Sequence, residues 1–180
     1  MKQLMEDWRK FLLTESVIDP KMVSLIDKAE KNNLKVLVGP YSATLVDGEF
    51  GVGSVSWEDG MHGPCLGSSY VTSANVKGGF GPLLYDVAIE MTGGVTPDRT
   101  EVSDEALRVW SYYEKNRDDV KKEQLDDLYD KLTPARKDNC EQESAIQDAG
   151  DDWHLSPLSK KYSKQGRPVW QELRKRGMLA

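Results

Sequence analysis

The stretch from residue 65 to residue 91 constrains this chain most. Cys65–Ser73 alternates as a strand does, with Leu66, Tyr70 and Val71 as anchors, and it leads into Lys77-Gly78-Gly79-Phe80-Gly81. Pro82 then stands at the first position of a segment whose apolar residues, Leu83, Leu84, Val87, Ala88 and Met91, recur at helical spacing. A strand, a glycine loop and a helix in that order commit the chain to a mixed α/β fold. Glycines let backbone N–H groups approach a ligand closely and point one way. The helix behind them adds unpaired N–H groups and the positive end of its dipole. Together they form a cradle for phosphate. The loop is no P-loop, since no Gly-Lys-Ser/Thr follows, and no Gly-x-Gly-x-x-Gly, since position 84 is Leu. Taken alone, it also fits a tight turn that holds no ligand.

The flanking segments fill in the architecture. Leu4, Met5, Trp8, Phe11 and Leu12 form one apolar stripe over residues 2–14. Asp19-Pro20 reads as an N-cap and first-turn proline for a second helix, carrying Met22, Val23, Leu25, Ile26 and Ala29 to about Asn32. Leu34–Val38 is an expected strand. Ala43–Val46 and Phe50–Trp57 flank Asp47-Gly48 as a hairpin, with a bulge or close approach at Gly51 and Gly53. Beyond the central helix, Gly93-Gly94 is a stop and Val95-Thr96 a short strand. Ser103 caps a helix bearing Ala106, Leu107, Val109, Trp110 and Tyr113. Residues 118–132 are expected as a charged helix, with Val120, Leu125, Leu128 and Leu132 on one face. Residues 135–152 are polar and loop-like, and Trp153, Leu155, Leu158 and Tyr162 give the tail anchors. A last helix spans 169–176, closed by Gly177.

Charge and cysteine usage narrow the function classes. A net charge of −6 argues against a general nucleic-acid coat, which needs a basic surface. Arg174, Lys175 and Arg176 form a local basic group, read as a solvated helix end. Cys65 and Cys140, with no signal peptide in view, are expected as reduced thiols of a cytoplasmic protein. No apolar run approaches the roughly 20 residues that span a bilayer. His62 and Cys65 have a metal-like spacing without a second pair, so no metal site is expected. Two histidines in unsupportive contexts give no serine triad.

From about residue 20 to residue 116, the order of two helices, meander, glycine loop, helix, short strand and helix resembles the GNAT acetyltransferase superfamily. The resemblance implies an α+β fold: a mixed, mostly antiparallel sheet flanked by helices. On that basis residues 17–117 are a core and 118–180 a helical and irregular extension that lacks the family's closing hairpin, with residues 1–16 an N-terminal amphipathic helix or leader. In the family, the loop after the fourth strand binds the pyrophosphate of acetyl-CoA through Gln/Arg-x-x-Gly-x-Gly/Ala. Gly79 and Gly81 match its small positions, whereas Val76 stands at the Gln/Arg position, with Lys77 beside it. The resemblance thus implies cofactor contacts at Val71, Ser73, Lys77, Gly78, Gly79, Phe80 and Gly81. It also implies a tyrosine that protonates the departing thiolate. Tyr113 in Tyr113-Glu114-Lys115 is the first choice and Tyr112 the second, although the family's shorter gap after Ala106 puts Trp110 there. Packing of the helix on the sheet is the other reading of these aromatics. Glu58, with Asp59 and Glu49 as further candidates, is the chosen carboxylate for deprotonating an amine acceptor, small molecule or protein; a solvated turn is the alternative for each.

A second resemblance lies at the N-terminus. Leu4–Leu12 followed by Leu13-Thr14-Glu15 looks like the amphipathic leader of tailed-bacteriophage head proteins, cleaved by a prohead protease after Leu/Ile-x-Glu. Three functions follow as expectations. The chain is an acetyl-CoA-dependent acetyltransferase, a non-catalytic phage protein of the head interior or of host interaction, or a GNAT-like phage DNA-modifying protein. Its place would be the host cytoplasm or the virion interior.

Overall fold

The structure, a computed structural model, describes residues 18–60, 68–125, 140, 142, 143, 145 and 149–180. The first helix, α1 (Pro20–Lys31), is capped by Asp19, whose carboxylate accepts the Lys21 N–H at 2.8 Å. It buries Met22, Leu25, Ile26 and Ala29, one face at i, i+3, i+4 and i+7. Four antiparallel strands follow: β1 (Leu34–Val38), β2 (Ser42–Asp47), β3 (Phe50–Asp59) and β4 (Ser69–Val76). Asp47 pairs with Phe50 across the expected two-residue turn. The expected bulge is present: Leu45 faces Gly53 and Val46 faces Gly51, leaving Val52 extra.

Helix α2 (Gly81–Thr92) crosses the inner face of the sheet and is buried from Leu83 to Glu90. It rests on Ala43, Leu45 and Val55, while α1 packs beside it. After Gly93 and Gly94 the chain enters β5 (Val95–Thr96), which pairs parallel to β4 at Ser69 and Tyr70 only. Helix α3 (Asp104–Asn116) is capped by the Ser103 hydroxyl, which accepts the Ala106 N–H at 3.3 Å.

The C-terminal stretch differs from expectation. Residues 120–124 are not helical; they form β6 (Val120–Gln124), paired antiparallel with β7 (Lys160–Lys164). β7 inserts between β5 and β6, so the described strands make one seven-stranded sheet in the order β1-β2-β3-β4-β5-β7-β6. The missing closing pair is therefore present, and it belongs to the stretch read as helical and irregular. Its strands carry one buried apolar anchor each, Val120 and Tyr162. The remainder are lysines, Glu123, Gln124 and Ser163; β6 is the edge strand, where charged side chains are tolerated, and β7 lies inside it. Two 3-10 turns (Gly150–Leu155 and Pro157–Ser159) precede β7, and α4 (Pro168–Lys175) follows it. The chain end runs back along β1: Val36 N–H donates to the Met178 carbonyl and Ala180 N–H to the Val36 carbonyl.

A buried ionic cluster ties these parts together. Asp86 of α2, fully buried, accepts both terminal nitrogens of Arg117 at 2.9 and 2.8 Å and Lys164 Nζ at 2.9 Å. Lys164 also reaches Glu90 at 2.7 Å, and Glu90 accepts the Val169 and Trp170 N–H groups at the start of α4. Cys140 is in a disulfide, which corrects the expectation of a reduced thiol there: cysteine count and compartment signals carry no information on a single bond, and Cys65 lies outside the described residues. No helix among the described residues is long and apolar enough to cross a membrane.

Candidate functional site

The short reach of β5 opens the sheet. Past Tyr70, β4 has no partner on its β5 side among the described residues. A second bulge reinforces the divergence: Ser56 faces Ser73 and Trp57 faces Val71, which leaves Thr72 unpaired on β4. A bulge bends its strand and sharpens its twist. Alternate N–H and C=O groups of Val71–Val76 are thus presented to the opening, as on any unpaired edge. From Val71 to Val76 that edge is roughly 17 Å long, a span for an extended ligand.

Beside this edge lies a cleft of about 450 Å³. It is lined by Val71, Thr72, Ser73 and Ala74 of β4, by Tyr85 of α2, by Ala106 and Trp110 of α3, and by Asp98, Thr100, Glu101, Val102 and Ser103 ahead of α3. A narrower space of about 60 Å³ shares Ala74, Tyr85, Ser103 and Ala106 and continues to Val76 and Gly81. The narrow space therefore reaches Gly81, the last residue of the glycine stretch. Gly79 takes φ +76° and Phe80 φ −82°, ψ 0°, a left-then-right pair that makes successive N–H groups converge. The N–H groups of Gly78, Gly79, Phe80 and Gly81 donate to no described residue. Pro82, next in line, has no N–H to satisfy.

The two ends differ in charge. At the loop, Lys28 of α1 donates to the Gly78 carbonyl at 2.8 Å and lies over the Phe80 ring, 4.9 Å from its centre. Lys77 is exposed beside it and lines a separate hollow of about 490 Å³ with Thr44, Gly53 and Asn75. At the other end, Asp98 and Glu101 line the cleft. Asp98 Oδ1 accepts the N–H and hydroxyl of Thr100, both at 2.8 Å, and the Glu101 N–H at 3.2 Å. Arg99 turns inward to the carbonyls of Pro97, Leu158 and Cys140; burial lowers its pKa to about 9 against the pull of Asp98.

The residues expected from sequence divide sharply. Val71, Ser73 and Gly81 line the cleft or its narrow end. Phe80 is a core residue, contributing backbone rather than side chain. Tyr113 is fully buried and does not line the cleft; its hydroxyl donates to the Pro82 carbonyl at 2.9 Å and to Asp86. Burial, and then the Asp86 charge, hold that phenol well above its usual pKa. Tyr112 lies outside the cleft under Lys21 Nζ, 3.7 Å above its ring. Glu58 is exposed on β3, also outside the cleft, and accepts the Tyr70 hydroxyl at 2.8 Å. That hydrogen bond to Glu58 raises the Tyr70 pKa. His62 and the Leu13-Thr14-Glu15 motif lie outside the described residues. No cluster of ligating side chains suited to a metal occurs among the described residues.

Sequence reading missed Lys28, Tyr85, Asp98 and Glu101. Lys28 carries no motif, and fifty residues separate it from the loop it touches. Tyr85 had a visible signal, a tyrosine one turn into the helix behind the glycine loop. Compared with protein-family models, curated proteins and solved structures, the chain matches none.

Proposed function

We propose that this protein binds an acyl-CoA along the free edge of β4 and transfers its acyl group to an amine. The carrying observation is the cleft that begins at the splay of β4 and β5 and narrows to Gly81, the last of four successive residues, Gly78 to Gly81, whose N–H groups donate to no described residue. An extended amide-bearing arm matches the unpaired edge, and a pyrophosphate matches the convergent N–H groups at the positive end of α2. Lys28, joined by Lys77, supplies cationic charge near the position where Val76 replaces the family's Gln/Arg. Asp98 and Glu101 make the other end attractive to a cationic acceptor. There the amine, once neutral, attacks the thioester carbonyl. Its lone pair forms the C–N bond, the C–S bond breaks, and the proton shed by nitrogen balances the one gained by sulfur.

Titration calorimetry with acetyl-CoA tests this reading. Saturable binding that weakens in Lys28→Met and with added salt supports it. No heat at high-micromolar acetyl-CoA refutes it. A second reading, a phage protein that keeps the fold without the chemistry, is favoured by one observation: Tyr113, Tyr112 and Glu58 all lie outside the cleft. Mass spectrometry of virions addresses it, since a chain beginning at Ser16 would mark packaging and cleavage after Glu15.

A further inference from the structure

Tyr85 is an anomaly of this cleft. It is only 2% exposed, and its hydroxyl has no hydrogen-bond partner among the described residues. A buried hydroxyl without a partner is costly, and folded proteins carry few of them. The other buried tyrosines are satisfied: Tyr113 donates to Pro82 and Asp86, and Tyr162 to the Pro157 carbonyl at 2.7 Å. Tyr85 lines both the wide and the narrow parts of the cleft, and its ring meets Trp110 edge-on, with centres 4.9 Å apart. Burial in the core against Trp110 thus holds the ring and leaves the hydroxyl unspent. Burial raises its pKa, so at neutral pH the group is a phenol, able to donate a proton in a hydrogen bond and unable to act as a base.

We infer that the Tyr85 hydroxyl is the donor that receives the carbonyl oxygen of the bound acyl thioester; the inference rests on the acyl-CoA reading above. A carbonyl oxygen is a far better acceptor than a thioether-like sulfur. As the amine attacks, the carbonyl π pair moves onto that oxygen, and a donor already held in place stabilises the charge that develops. The pair then returns, the C–S bond breaks, and sulfur leaves with its electrons and takes up the proton shed by nitrogen. Tyr85 keeps its own proton throughout. An unpartnered hydroxyl in the free protein is therefore a binding group held ready, at some expense in stability.

The test is Tyr85→Phe, which removes one oxygen and keeps the ring packing. Two readouts must move in opposite directions. The Tm of the free protein rises by about 2–4 °C, because an unsatisfied buried group is gone. Affinity for acetyl-CoA by calorimetry falls about tenfold, while affinity for free CoA, which lacks the carbonyl, stays within about twofold. A hydroxyl with a merely structural role would lower the Tm and leave the two ligands alike, and that result overturns the inference. So does a variant that binds acetyl-CoA as tightly as the wild type; the acyl-CoA reading then survives without Tyr85. If the wild type binds neither ligand, the acyl-CoA reading fails first and Tyr85 falls with it.

Discussion

Lys164→Met is the perturbation whose cost the structure fixes best. Lys164 Nζ lies 2.9 Å from Asp86 and 2.7 Å from Glu90, and both carboxylates are fully buried. After the substitution Asp86 keeps Arg117, whose guanidinium reaches it with two hydrogen bonds. Glu90 keeps only the Val169 and Trp170 N–H groups and has no cation left. Removing one partner of a buried pair costs roughly 3–5 kcal/mol, because the other charge remains desolvated. For a chain of this size that is a Tm loss of roughly 6–20 °C. The loss also depends on pH. Burial already raises the Glu90 pKa, and Lys164 opposes that rise, so the variant's Glu90 rises further. A carboxyl with a raised folded-state pKa binds its proton more tightly when folded. Its stability contribution is complete below the ordinary carboxylate value and is lost as pH rises through the raised one. The deficit of Lys164→Met is therefore larger at pH 8 than at pH 5, because falling pH moves Glu90 toward its protonated form, which needs no cation. Urea unfolding followed by tryptophan fluorescence, at both pH values and against the wild type, measures it. A deficit below about 1 kcal/mol at the higher pH, or one equal at both, would refute the reasoning.

Tyr113→Phe should lose about 1–3 kcal/mol, since Asp86 and the Pro82 carbonyl both lose a donor, while acetyl-CoA affinity stays unchanged; thermal melts and calorimetry on one preparation decide it. An unchanged Tm with weakened binding would instead return Tyr113 to the site. Gly94→Ala should cost about 1–3 kcal/mol, read as a lower Tm, because Gly94 sits at φ +149° and a Cβ there would come within 2.9 Å of Lys161 Cε and 3.1 Å of Ser163 Cβ.

How much of this was legible follows from where each signal resides. Helices α1, α2 and α3 write their buried faces into local spacing, and the β2–β3 hairpin writes its turn as Asp47-Gly48, so both were readable. β6 and β7 write almost nothing locally. Val120 and Tyr162 are single anchors among lysines, and a charge run over 118–132 reads as a helix until its partner strand, about forty residues on, is known. Lys164 reads as solvated for the same reason: what permits its burial is Asp86, seventy-eight residues away.

The tyrosines make the limit sharpest for function. Tyr85 and Tyr113 are the same residue type on two buried helix faces, and Trp110 lies between them, with ring centres 4.9 and 6.1 Å away. Spacing places both in the core and cannot say which hydroxyl is satisfied. That depends on how α2 and α3 meet: their packing carries Tyr113 to Asp86 and leaves Tyr85 unpaired beside the cleft. The motif selects the tyrosine that resembles a catalytic one. Hydrogen-bond accounting selects the one still lacking a partner. That distinction matters chemically, because a phenol already committed to a carboxylate and a carbonyl has no proton left to offer a substrate.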